Sequence, residues 1–218
     1  MRYPPLLIAL FTALLLKPFA QGTGAAILPN SFFLIFVFGT LIYAFRHIRS
    51  LALCLTVLGV ATVTLRFLAD QQRAPTLAFL CHGLSFIAMV VAMVAMFSEV
   101  LRARSASSDL VMGAVCLYLV IGLAWTFLYY SIYLLSPGSI FVSPPTAIRS
   151  ASGLEEKFTE VLYFSFAALT TIGSSGEAPL TPMVRQLAVV EAAMGQLYLA
   201  VLISRLVGFS TSGDAKST

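Results

Sequence analysis

Six apolar runs, each close to the ~20 residues that carry a helix across a hydrocarbon core, constrain this chain more than any other feature of it. They extend from Pro5 to Ala20, Ile27 to Phe45, Leu51 to Ala69, Thr76 to Ser98, Leu110 to Leu135 and Met183 to Phe209. Inside a bilayer no water is at hand to satisfy backbone groups, so segments of this kind are expected as helices. Hydrophobic residues fill 59% of the 218 positions and charged residues only 10%, too few charges to cover a soluble globule of this size. The expected fold class is an all-α integral membrane protein with six transmembrane helices.

The link between the fifth and sixth runs differs from the others. Ser136 to Pro182 starts as a loop rich in Pro, Ser and Gly, then becomes apolar over Phe158 to Leu169, too short to span. A helix that dips into the membrane and returns is expected there. Ser152 with Glu155 has the spacing of a capping box, and Glu155 and Glu156 place negative charge in a first turn, so this helix should start near 154. It should end at Leu169, before Thr170-Thr171-Ile172-Gly173-Ser174-Ser175-Gly176-Glu177. A Thr-rich turn with two glycines leaves the backbone free to aim several carbonyl oxygens at one point, which is how a protein replaces the water shell of a cation.

Charge and cysteine content exclude other classes. The net charge of +4 is spread over helix ends and forms no patch able to track a phosphate backbone, so nucleic acid is not an expected partner. Cys54, Cys81 and Cys116 lie singly inside apolar runs, with no CxxC spacing, and are expected as buried thiols. His82 beside Cys81 points to a different helix face and is expected to pack or hydrogen-bond between helices, not to hold a metal. The fourth run has no Arg or Lys ladder, so intrinsic voltage dependence should be weak. Arg46, Arg49, Arg102 and Arg104 suit the cytoplasmic side, where Arg102 and Arg104 would meet anionic headgroups, while Lys17, Arg66 and Arg73 fall on the other side. The first run also has features of a cleavable secretory signal, although Lys17 and the lack of a small-x-small site weigh against cleavage.

The sequence Tyr163-Phe164-Ser165-Phe166-Ala167-Ala168-Leu169-Thr170-Thr171-Ile172-Gly173 resembles the pore loop of tetrameric potassium channels. The order of an outer helix, a short helix, a filter and an inner helix resembles the two-helix pore module of bacterial potassium channels, and Leu187 to Gly208 is similar to the inner helix of their small six-helix members. The resemblance covers about half of the chain. It implies two parts: a four-helix transmembrane bundle without a voltage sensor at 1–105, and a pore domain at 106–218. The pore domain would hold an outer helix at 110–135, a pore helix at 154–169, a filter at 170–177 and an inner helix at 183–209.

The resemblance further implies a homotetramer in a bacterial inner membrane, passive conduction of potassium or another monovalent cation, and no cofactor. Ion sites would be formed by Thr171, Ile172 and Gly173 within a filter of Thr170, Thr171, Ile172, Gly173, Ser174, Ser175 and Gly176, and Glu177 would ring the outer mouth. Gln196, Leu199 and Ile203 would line the cavity below it. Gly195 is either a bending point or a close-packing site. Glu191, an ionisable group in an apolar helix, is expected to brace the filter through a hydroxyl such as that of Thr170 or Ser174. Arg205 is expected to snorkel to headgroups.

One departure from the family stands out. Its filters usually read Thr-x-Gly-Tyr-Gly-Asp or Thr-x-Gly-Phe-Gly-Asp, whereas Ser174-Ser175 replaces the aromatic residue and Glu177 the aspartate. Loss of the ring's sideways packing gives a looser, less selective outer filter, while serine hydrogen bonds would keep a narrow one; both outcomes stay open. The rival classes are a nonselective cation channel and a non-conducting membrane scaffold with a degenerate filter. A transporter should carry more intramembrane charge and an internal repeat, and an enzyme should show a catalytic pair in its helices; neither is found. Only a few polar residues follow Gly208, so a gate is expected in the membrane, in a linker or on an unknown partner.

Overall fold

The computed structural model describes residues 3–16, 27–72, 75–103, 107–136, 140, 153–173 and 179–214. Its elements are helices: α1 (Tyr3–Leu16), α2 (Ile27–Phe45), α3 (Arg49–Gln72), α4 (Pro75–Arg102), α5 (Ser108–Leu135), α6 (Gly153–Leu169) and α7 (Pro182–Asp214). Among the described residues four stretches are long and apolar enough to cross a membrane: Arg49–Ala69, Thr76–Arg102, Ser108–Leu135 and Pro182–Phe209. The described apolar parts of the first two helices, Tyr3–Leu16 and Phe33–Phe45, are shorter than a span.

Helix α5 is the centre of the molecule. Two-thirds of its most apolar window (67%) is buried, against 11% for α7. On one side α5 meets α4, which leads to α3 and α2, and α1 closes the circle by touching both α2 and α5. On its other side α5 carries α6 and α7. The two sides share one core. The His82 ring of α4 packs against Phe127 of α5 and Phe158 of α6, at 5.9 and 5.7 Å, two rings that themselves lie 5.7 Å apart, and meets Tyr130 edge-on at 4.5 Å. This packing role agrees with the expectation for His82, and no metal-binding cluster occurs among the described residues. Phe33 of α2 also reaches Phe158, at 5.9 Å.

Local chemistry explains why hydroxyl residues are tolerated in these apolar helices. Thr40, Thr56, Thr64, Ser85, Thr126, Ser131 and Ser204 each donate to the carbonyl one turn back in their own helix, which removes the cost of an unpaired hydroxyl in hydrocarbon. The start of α5 is fixed by Ser107, whose side chain accepts from the N–H of Leu110, with Asp109 in the first turn.

Polar contacts gather at one end of the bundle. The Tyr3 hydroxyl donates to the Glu99 carboxylate, the Tyr3 N–H donates to Asp109 Oδ1 at 3.3 Å, and His47 Nε2 lies 3.1 Å from Glu99 Oε1. The start of α1, the α2–α3 turn, the end of α4 and the start of α5 therefore share this end. Cys81 and Cys116 are buried, as their apolar settings suggested, but Cys54 is exposed on α3, because its position falls on the helix's outward face and not on the face turned to α2 and α4.

Candidate functional site

Helix α6 ends deep inside the molecule. The carbonyl of Leu169, its last residue, accepts a hydrogen bond from the Tyr118 hydroxyl at 3.1 Å. Tyr118 lies ten residues into α5, or ~15 Å at 1.5 Å per residue. The same carbonyl presses on Gly195, where an added Cβ would sit 2.3 Å from the Leu169 oxygen. Gly195 falls near the middle of the Pro182–Phe209 stretch. Of its two expected roles, the structure gives it the close-packing one.

The chain reverses immediately afterwards. Thr170 turns back onto α6, its N–H and its hydroxyl both donating to the Phe166 carbonyl, at 3.0 and 2.7 Å. Thr171 has φ of 59°, a left-handed conformation that costs a β-branched residue ~1–3 kcal/mol. Hydrogen bonds hold it there: its N–H donates to Ala168 at 3.0 Å, its hydroxyl donates to the Thr170 carbonyl at 2.7 Å, and Gln196 Nε2 donates to that hydroxyl oxygen at 3.3 Å. Gly173 has φ of 78°, and its N–H donates to Ala167 at 3.2 Å. Thr171, Ile172 and Gly173 are exposed, Ile172 to 79%. Ser174, Ser175, Gly176 and Glu177 lie outside the described residues, as does Ser152 of the expected capping box.

Behind this turn, Glu191 of α7 is completely buried. Among the described residues its partner is Ser165 and not Thr170, while Ser174 lies outside them. Oε1 lies 2.6 Å from the Ser165 hydroxyl of α6, which also lies 2.9 Å from the Gly122 carbonyl of α5, so one hydroxyl joins three helices. Thr170 is unavailable because its own hydroxyl is spent on Phe166. Oε2 of Glu191 and the Tyr129 hydroxyl of α5 are also buried, near enough to interact with each other.

Sequence reasoning missed Ser165, Tyr118 and Tyr198, whose hydroxyl donates to the Ala114 carbonyl of α5 at 2.6 Å. Ser165 had a signal. It is the one hydroxyl between Tyr163 and Leu169, and in apolar surroundings such a group needs a partner. The tyrosines had none beyond their residue type.

Along α7, Gln196 and Ile203 are exposed and Leu199 is half-buried, with Gln196 alone touching the turn. Arg205 has partners within the chain. Its guanidinium donates to the Ala103 carbonyl after α4 at 3.0 Å and lies 5.6 Å from the Phe209 ring. Arg102 is exposed, and Arg104 lies outside the described residues.

The site thus consists of a short helix ending at mid-depth, a turn with alternate left-handed residues, and a long helix packed behind both. No curated protein and no solved structure matches the chain. Residues 114–212, which take in most of α5, all of α6 and nearly all of α7, match a family model described as ion channel. Over those residues the chain is similar to ion channels, a kind of membrane protein, in keeping with its membrane-long apolar helices.

Proposed function

We propose that the chain is one subunit of a potassium-channel-like homotetramer that conducts monovalent cations passively across a bacterial inner membrane. The observation that carries the reading is the depth at which α6 stops: Leu169 meets Tyr118 and Gly195 near the middle of two membrane-long helices, and the chain then turns back toward the start of α7. A re-entrant pore helix of this kind brings its carbonyl end, the negative end of its dipole, to the middle of the membrane, where it favours a cation.

The turn supports the same reading. In an extended strand successive carbonyls point to opposite sides, whereas positive φ at Thr171 and Gly173, with none at Ile172 between them, lets successive carbonyls face one way. Thr171, Ile172 and Gly173 would then hold the permeant ion, continued by Ser174, Ser175 and Gly176, with Thr170 anchoring the base of the filter and Glu177 concentrating cations at the mouth. Gln196, Leu199 and Ile203 would line the cavity beneath. One chain supplies one wall of such a site, so several copies must surround an axis. The first four helices would then complete a six-span subunit around the pore helices.

Potassium-driven uptake of a tracer cation into liposomes holding the purified protein tests the proposal. Uptake is expected from the wild type and should fall at least tenfold in Gly173→Ala, where an L side chain is strained at φ of 78°. Equal uptake by wild type, variant and empty liposomes would remove the conducting reading and leave the scaffold.

A further inference from the structure

An apolar groove of about 310 Å³ lies between α2 and α3, on the side away from α5. Its walls include Ile35, Gly39 and Ile42 of α2 and Thr56, Val60 and Thr64 of α3. The two threonine hydroxyls donate to carbonyls of their own helix, at 2.7 and 2.8 Å, so the groove offers nothing to water. It is shaped by glycines on both walls. A Cβ on Gly39 would meet nothing within 4 Å, and Gly59 lies against the ring of Phe38.

Both walls end on an arginine. Arg46 stands one residue past the end of α2 and Arg49 opens α3, so both lie where the walls of the groove meet the α2–α3 turn. Both are exposed, and the ion pairs among the described residues, His47–Glu99 and Lys157–Glu160, include neither. The Arg46 guanidinium lies 4.7 Å from the centre of the Tyr43 ring, which orients its plane and leaves its N–H edge to donate. From Phe45, the last residue of α2, to Ile35 is ~15 Å along the helix at 1.5 Å per residue, matching one leaflet of a ~30 Å hydrocarbon core.

A groove open to hydrocarbon, one leaflet deep and topped by two unpaired arginines, fits a molecule with a negative head and a long apolar tail. We propose that the α2–α3 corner binds one anionic phospholipid, its phosphate between Arg46 and Arg49 and an acyl chain in the groove. The fork of an arginine suits phosphate oxygens, and a choline headgroup would bring a positive charge against both.

Native mass spectrometry of the full chain with phosphatidylglycerol and phosphatidylcholine supplied in equal amounts tests the site. The wild type should retain phosphatidylglycerol preferentially, and that preference should fall about fivefold for each arginine removed in Arg46→Gln and Arg49→Gln. Arg185→Gln, at the start of α7, should leave it unchanged. Gly39→Leu fills the groove from a position with open space and should lower retention of the lipid while helical content by circular dichroism stays that of the wild type. Equal retention of the two lipids by the wild type, a preference kept in the double arginine variant, or undiminished retention in Gly39→Leu would each overturn the proposal. So would displacement of the lipid by inorganic phosphate, since a bare anion site needs no groove.

Discussion

At Gly195 the backbone of α7 touches the last carbonyl of α6 so closely that one methyl group has no room, since its carbon would lie 2.3 Å from a backbone oxygen. Gly195→Ala should therefore push the two helices apart and lower thermal stability in detergent by ~1–3 kcal/mol, the usual cost of overpacking. Gly208→Ala, on the same helix but with nothing within 4 Å of its added Cβ, should leave the melting temperature within error. Equal effects from the two substitutions would mean that helix propensity and not contact is being measured. The pair also marks what sequence discloses at this scale. A glycine in a long apolar helix identifies a position with a reason, but bending and close packing leave the same letter, and only the neighbour across the helix separates them. Glu191 is similar. Its cost in an apolar helix made it visible, while its partner Ser165 came from a different element and was fixed by packing, which sequence spacing does not encode.

Among the elements, α6 is the one whose placement decides the site. Its existence and its end at Leu169 follow from an apolar stretch too short to span and from the small residues after it. What holds it at mid-depth does not, because the Tyr118 hydroxyl on Leu169, the Ser165 junction with Gly122 and Glu191, and the Gly195 contact all reach across chain separations that no local pattern records. Removing these ties should loosen α6 in proportion to their burial. Tyr118→Phe removes one half-buried hydrogen bond and should cost ~1 kcal/mol. Glu191→Ala empties a fully buried position between α6 and α7 and should cost ~2–4 kcal/mol, whereas Glu191→Gln keeps an oxygen within reach of Ser165 and should recover most of it. Thermal unfolding followed by circular dichroism distinguishes the three, and an alanine variant as stable as the glutamine variant would show that the Ser165 contact holds nothing.

Over the whole molecule, burial is uneven in a way that points outward. Helix α5 is mostly buried, but α7 turns Met183, Val189, Leu197, Val201, Ile203 and Val207 outward, far more apolar surface than a core helix leaves. In a subunit of a channel that surface is divided among lipid, neighbouring copies and the axis, and the purified complex should have a mass of four chains by light scattering after correction for detergent. A monomer would leave the filter without its other walls. Among the described residues the helices and the long spans were legible in composition and segment length, because membrane solvent imposes both, whereas the ion-channel match of residues 114–212 agrees with a resemblance carried by Tyr163 to Gly173. The selectivity of the proposed filter was not legible, since Ser174 and Ser175 stand where the family that residues 163–173 resemble has an aromatic residue. Reversal potential measured on the protein in bilayers under opposed potassium and sodium gradients tests the central claim most directly. The account predicts a potential of the sign set by potassium, abolished together with the current in Thr171→Ala. A current that reverses at zero, or one that survives unchanged in Thr171→Ala, would contradict it.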